Sequence, residues 1–507
     1  MPGRLRTADS GSVLGLRRLA RWISSCDLRH QCAPIEAELP TRILDLGTNT
    51  NAQSINLVEA QGLRGKYVTL SHCWGASHPI TTTSATYQSR ISGILLSDLP
   101  KTFQEATLIT RRLQVRYLWI DSLCIIQDDR LDWEREASRM ADVYTNSYLT
   151  IAAASSTDAL NGCFPSLTPR STLPSRSPDS VALGNESFAN ESPLVHERDP
   201  PERAEPIYFV RGAMTTFNTT NSGEPRVFVT KEWMPSSKKS NPRPYRIGDF
   251  GRSVEPLEGQ PLNTRAWTLQ ERFLSPRSVY FCTDQIYWEC NRCYIAEEGC
   301  RFRDAHFNVD SLVVGERLPP LQPIQSSVSL IEGFIPRSTC GRRATGWPAM
   351  AEEYSRRKLT YADDKMSALS GLASAVFRRT RDSYFAGLWK YHIIEDLSWR
   401  TDTQIEYRIQ VPEGFRHVYG AMLGDVTIPT NYRAPSWSWA SLDSRIKYVD
   451  LDVDNVVAEF IDCRTFLAGN DHFGRLAGGW IKLKVGWDLF QQRFGFPMLI
   501  IQCRRHW

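Results

Sequence analysis

The chain has 507 residues, 41% of them hydrophobic and 23% charged, which excludes collagen, coiled coil and wholesale disorder and leaves room for two or three compact units. Lys and Arg number 60 against 56 Asp and Glu, a formal charge of +4 that is too balanced to point to a nucleic-acid or anionic-membrane surface. The twelve cysteines are scattered irregularly and do not make a secreted disulfide scaffold. No window approaches the roughly 20 consecutive apolar residues of a membrane span, and the Arg-rich N-terminus lacks the apolar stretch of a secretory signal. The chain reads as cytoplasmic, with mostly reduced thiols.

An N-terminal helical segment over 1–44 precedes a regularly punctuated region, 45–165. Tyr67 to Ser71 is a β-prone run that ends in the turn-like His72-Cys73-Trp74-Gly75. A helix is expected from about Pro100, because Pro suits a first helical turn and Phe103, Ala106, Ile109 and Leu113 recur at helical spacing. Tyr117 to Ile120 is a continuous apolar run, as expected of a strand covered on both faces, and it ends in Asp121. Asp129 can cap a second helix through Tyr144, and Tyr148 to Ala153 is a further strand. This alternation of strands and helices predicts a parallel α/β sheet with flanking helices. Segment 166–262 reads as an insertion, partly disordered, because its Ser-, Pro- and Glu-rich stretch has too few apolar residues to offset the entropy of ordering. Over 263–300 the pattern predicts a helix, capped by Asn263 or Thr264, and a hairpin turning at Thr283-Asp284. Segment 301–507 reads as a mixed helical and β C-terminal region, in which Trp437 and Trp439 are expected to pack in a core or to make a contact between subdomains.

In an open α/β sheet the ligand crevice lies outside the carboxyl ends of the strands. Ser71 to Gly75 and Asp121 leave their strands at that edge, and the second helix begins there. At about 100° per residue, Glu136 falls inside the apolar arc formed by Trp133, Ala137, Met140, Val143 and Tyr144. A carboxylate there is partly desolvated, which suits it to hold a hydroxyl or a developing cation. The alternative is an ion pair with Arg139 or with another chain segment. Glu134 and Asp132 are the fallback acids.

Three blocks carry a family resemblance. The first is Tyr67-Val68-Thr69-Leu70-Ser71-His72-Cys73-Trp74-Gly75. The second runs from Leu118-Trp119-Ile120-Asp121-Ser122 through Trp133, Glu136, Met140 and Tyr144 to Leu149-Thr150-Ile151-Ala152-Ala153. The third is Arg265-Ala266-Trp267-Thr268-Leu269-Gln270-Glu271, then Leu274-Ser275-Pro276-Arg277 and Trp288-Glu289-Cys290. With Leu388-Trp389 and Ser436-Trp437-Ser438-Trp439-Ala440 downstream, the chain resembles the fungal heterokaryon-incompatibility (HET) domain proteins over roughly residues 20 to 445. His72 and Ala266 depart from the family's usual residues, and the tail over 494–507 is unlike those of the family, which points to a truncated or frame-altered end.

The resemblance implies a signalling or effector module of non-self recognition that triggers programmed cell death, with protein partners or self-association. The family is also distantly similar to Toll/interleukin-receptor (TIR) domains, which implies a TIR-like or flavodoxin-like fold. Many TIR domains cleave NAD with a helix-borne glutamate near a Trp, and Glu136 with Trp133 is the closest match here. On that reading NAD is a substrate rather than a cofactor. Glu136 stabilises the oxocarbenium-like state, Ser71 and Asp121 bind ribose or phosphate-side groups, and Trp74 stacks on a ring. A third reading is a thiol hydrolase using Cys73 beside His72.

Two groups have metal-like spacing: Cys26-x-x-x-His30-x-Cys32 with three donors, and Cys290-x-x-Cys293 with Cys282 and Cys300. Packing explains such thiols at least as well, and no metal ligand is assigned. No phosphate-binding glycine loop or His-Glu-x-x-His motif is present.

Overall fold

The computed structural model describes residues 10–75, 80–165, 257, 259–297, 299, 301–302, 346–402, 404–408, 419–423, 426–449 and 458–485. The insertion, apart from its last few residues, and the tail over 494–507 lie outside the described residues. The chain divides into two compact units that cut across the sequence blocks: residues 1–129, 146–263 and 275–306 form the first, and 130–145, 264–274 and 307–507 the second.

The first unit is built on a mixed sheet. Helix α1 (Val13–Arg29) opens with Ser12, whose hydroxyl accepts from the Gly15 amide at 3.2 Å and so satisfies one of the free donors of the first turn. Strands β1 (Ala37–Glu38), β2 (Arg42–Asp45), β3 (Ser54–Glu59), β4 (Arg64–Gly65) and β5 (Tyr67–Ser71) follow. Next come α2 (Tyr87–Ser92), β6 (Ile94–Leu95), α3 (Lys101–Arg112), β7 (Tyr117–Trp119) and the single turn α4 (Asp121–Cys124). Strand β8 (Leu149–Ala152) and, after the insertion, β9 (Arg277–Phe281), β10 (Ile286–Cys290), β11 (Cys293–Ala296) and β12 (Arg301–Phe302) complete it. The spatial order is β12-β11-β10-β9-β8-β5-β7-β2-β3, with the two-residue β6 added beyond β3.

Only the centre of this sheet is parallel. Strands β5, β7, β8 and β9 pair in parallel, in the spatial order second, first, third, fourth. Every residue of β5, β8 and β9 is buried, as expected of strands covered on both faces. The predicted strands and helices of this centre are present, but the sheet as a whole is mixed α/β and not the parallel sheet that the alternation implied. The reason is connection length: β2 to β3 and β9 through β12 are joined by turns too short for a crossover, so these strands pair antiparallel. Helix α3 begins after Pro100 and buries Phe103, Ala106 and Ile109 on one face, as its spacing predicts.

A buried cation organises one side of this unit. The Arg277 side chain, 0% exposed, lies with its guanidinium 4.0 Å from the Tyr148 ring centroid, donates to the Tyr148 carbonyl and pairs with Asp27 Oδ1 at 2.6 Å. The Tyr148 hydroxyl, pushed up to about 12 by burial, keeps its proton and donates to Asp27 Oδ2 at 2.9 Å.

In the second unit, α5 (Arg130–Thr145), α6 (Trp267–Leu274), α7 (Gly346–Ser355) and α8 (Ser367–Thr380) are its longer described helices. Helices α5, α6 and α8 come close at Gly371, where a Cβ would stand 2.7 Å from Gln270 Oε1, 3.0 Å from Ala141 Cβ and 3.3 Å from Leu274 Cδ1. Elsewhere in this unit Trp439, from the last sequence block, and Trp347 both donate through Nε1 to the carbonyl of Gly387, the residue before Leu388-Trp389, at 3.1 and 2.8 Å, and Trp439 is fully buried.

Two predictions follow from buried charge. Arg277→Ala removes the cation that joins three segments and is expected to cost about 3 kcal/mol or more in urea denaturation, while Arg277→Lys does not restore the stacked, forked geometry. Asp27→Ala costs less, because that side chain is 42% exposed. A loss under about 1 kcal/mol for Arg277→Ala would show the guanidinium dispensable. In the second unit, burial raises Asp396 from 3.8 to about 8. The unfolded chain releases this proton near pH 4 and the folded chain near pH 8, so the folded state carries the extra proton in between. The stability held by the neutral carboxyl is full below about pH 4 and is lost as pH rises toward 8. Thermal melts of the wild type should therefore fall across that window, and Asp396→Asn should flatten the slope.

Candidate functional site

The carboxyl ends of β5 and β7 converge, as the sequence predicts, and the loops leaving them are tied together by side chains of the first two blocks. The Trp74 indole Nε1 donates to Asp121 Oδ2 at 2.9 Å. Asp121 Oδ1 accepts from the Ser122 amide at 2.7 Å and lies 3.9 Å from His72 Nδ1. Thr82 completes the tie, its amide donating to the Ser122 carbonyl at 2.9 Å and its hydroxyl to the Leu123 carbonyl at 2.6 Å. Both carboxylate oxygens of Asp121 therefore accept hydrogen bonds from the chain itself, although the side chain keeps 23% exposure.

The other residues of the first block are fixed by backbone and packing. Ser71 is the buried last residue of β5, and its carbonyl accepts from the Ala153 amide at 3.0 Å. His72 packs edge-on against Phe103 at 4.9 Å between ring centroids. Cys73 belongs to an apolar cluster with Ala152, Ala154, Tyr280 and Cys282. Gly75 has φ +73°, and a Cβ there would collide with the Asp158 carboxylate, so both the backbone and the space demand glycine. Below this edge a chain of buried hydroxyls crosses the sheet: Thr69 Oγ1 to Thr150 Oγ1 at 2.7 Å, and Thr150 Oγ1 to Ser275 Oγ at 2.6 Å.

Glu136 lies on α5, in the second unit. It is 4% exposed, in line with its place in the apolar arc. Its Oε1 accepts from Arg135 Nε at 3.1 Å, so the ion-pair partner is Arg135 rather than Arg139. Arg135 also pairs with the buried Asp132, and Glu134 pairs with Arg130 at 3.0 Å. Trp133 meets Trp267 edge-on with centroids 6.2 Å apart, which brings the second and third blocks together within this unit.

A second cluster lies at the other side of the first unit. The donor atoms of Cys26, His30, Cys32 and Cys290 all lie within 4.8 Å of one another. Hydrogen bonding among the thiols holds Cys290 below the ordinary thiol range and Cys26 and Cys32 above it. Neither half of this set is complete in sequence, since one lies in α1 and the turn after it and the other at the end of β10. In the sequence Tyr148 and Arg277 stand only as members of a strand and a motif block, with no sign of their pairing, and neither Asp27 nor Asp158 is singled out. The Arg in Leu274-Ser275-Pro276-Arg277 was the one signal that could have found them, because a charge next to a strand buried on both faces requires partners.

Residues 67–271 match the family model described as heterokaryon incompatibility protein (HET). The chain carries a HET domain. Neither a curated protein nor a solved structure matches it. Among the described residues, no helix of the HET domain or of the rest of the chain is long and apolar enough to cross a membrane.

The Trp74–Asp121 bond should be energetically coupled. Trp74→Phe and Asp121→Ala are each expected to cost about 1–2 kcal/mol in chemical denaturation, and the double variant should cost less than their sum. Asp121→Asn keeps an acceptor and should be milder. Strict additivity would mean that the bond contributes nothing.

Proposed function

We propose that this chain is a signalling effector of heterokaryon-incompatibility type, acting in the fungal cytoplasm through protein partners or self-association to trigger programmed cell death on contact with non-self. The HET match over residues 67–271 carries this reading. The internal engagement of the polar motif residues favours a module over an enzyme. Asp121 is held by Trp74 and Ser122, and Glu136 by Arg135, so the carboxylates that a nucleotide would need are already satisfied by the chain. Opening either pair to admit a ribose would forfeit a charge-assisted hydrogen bond.

A TIR-like NAD glycohydrolase using Glu136, with Ser71, Trp74 and Asp121 on the nucleotide, is the second reading. Its support is the burial of Glu136 on the helix that also bears Trp133, together with the second-first-third-fourth order of the parallel strands, which creates a switch point between β5 and β8. Expression of the chain in a fungal host distinguishes the two. The signalling reading expects wild type and Glu136→Gln to kill equally, and the concentrated protein to release no nicotinamide from NAD. Nicotinamide release by the wild type that disappears in Glu136→Gln, with loss of killing, would replace the module with the enzyme.

A further inference from the structure

The last turn of α1 and the tip of the β10–β11 hairpin bring four metal-binding side chains to one place, and each is delivered by a specific backbone feature. Cys26 and His30 are four residues apart at the end of a helix and so share a face. The His30 and Gln31 amides both donate to the Cys26 carbonyl, at 2.9 and 2.7 Å, which tightens the terminus. Gln31 then adopts φ 51°, the left-handed region that side chains other than glycine rarely enter, and the chain folds back so that Cys32 returns against Cys26. From the other side, Cys290 ends β10 and pairs directly with Cys293 across a two-residue turn. Its Sγ lies 3.4 Å from His30 Nδ1.

These distances suit a small tetrahedral ion. Zinc–sulfur bonds of about 2.3 Å and zinc–nitrogen bonds of about 2.1 Å place tetrahedral donors about 3.6–3.8 Å apart, so a set within 4.8 Å of one another closes on zinc with a slight contraction. Core packing accounts poorly for the arrangement, because His30 and Cys32 are only partly buried, and apolar packing gives no reason for the left-handed Gln31.

We propose that Cys26, His30, Cys32 and Cys290 bind one zinc ion as a closed structural site that fastens α1 to the β10–β11 hairpin. Three sulfurs and one imidazole favour zinc among the common divalent ions, and four protein donors leave no open position for catalysis. On binding, each thiol still protonated gives its proton to solvent, and Zn2+ with three thiolates and a neutral imidazole carries a net charge of −1. Cys293, with Sγ 3.5 Å from Cys290 Sγ, lies outside the four-donor set, and Cys300 lies outside the described residues. The site brackets the HET match, with three donors before residue 67 and one after residue 271.

Elemental analysis of the full chain, purified under reducing conditions without chelator, should give about one zinc per chain. Cobalt added to the chelator-stripped wild type should develop the visible absorption of a tetrahedral thiolate site, which needs no variant to fold. Iodoacetamide mapping by mass spectrometry should find Cys26, Cys32 and Cys290 protected until a chelator is added. Cys32→Ser should lower zinc to less than about a tenth of an equivalent and lower the melting temperature, while Cys463→Ser keeps both. A folded wild type that contains no zinc and gives no tetrahedral cobalt spectrum overturns the proposal. So does equal zinc in Cys32→Ser and Cys463→Ser.

Discussion

A guanidinium that cannot reach water dictates much of the first unit. Arg277 opens β9 with its side chain fully buried, and a cation in that position is tolerated only with its charge met by the protein. The fold meets the charge and the Nε and Nη1 donors from two distant stretches of sequence, Asp27 near the end of α1 and the ring and carbonyl of Tyr148 before β8, and leaves Nη2 buried without an acceptor among the described residues. Lys could supply the charge but not the planar face that stacks on Tyr148 together with the fork that reaches two acceptors. Once Arg277 is paired with Asp27, the end of α1 is pinned beside β9 and β10. Cys26, His30 and Cys32 are carried to Cys290 by the same constraint, since Asp27 is the neighbour of Cys26. Trp22 against Trp288, with centroids 6.3 Å apart, and Arg18 with Glu297 at 2.6 Å extend the contact along the helix.

Much of this architecture was legible in the sequence where a local rule was sufficient. Tyr67 to Ser71 is an uninterrupted buried strand because nothing in it needs solvent, and the helix after Pro100 follows its apolar spacing residue by residue. The hairpin around Thr283-Asp284 was legible for the same reason. What escaped was non-local. The alternation of strands and helices describes the parallel centre but says nothing of β2, β3 and β10 to β12, whose antiparallel pairing depends on short turns. Sequence order likewise places the segments of α5 and α6 in line with the sheet blocks, yet both helices belong to the second unit, where Gly371 lets α8 approach them.

The candidate site was legible in the same partial way. The periodicity of α5 put Glu136 on the buried face correctly, but the partner that neutralises it is the adjacent Arg135, which no helical-spacing rule would select. In the sequence Asp121 is a candidate ligand group because it leaves its strand at the edge where open α/β sheets bind ligands. The structure supplies a different partner in the Trp74 indole, from the other motif. The four-donor cluster was invisible for a geometric reason: each half has plausible spacing alone, and only the path of α1 back to the far hairpin joins them.

These pairings change how the density of polar residues in the three blocks should be understood. Thr69, Thr150 and Ser275 come from different blocks and form one buried hydroxyl chain, Trp74 and Asp121 tie the first block to the second, and Trp133 meets Trp267 between the second and third. Each contact joins residues far apart in sequence, and each would be lost by changing either partner. A motif built from such contacts records the requirements of folding as strictly as an active site records those of chemistry.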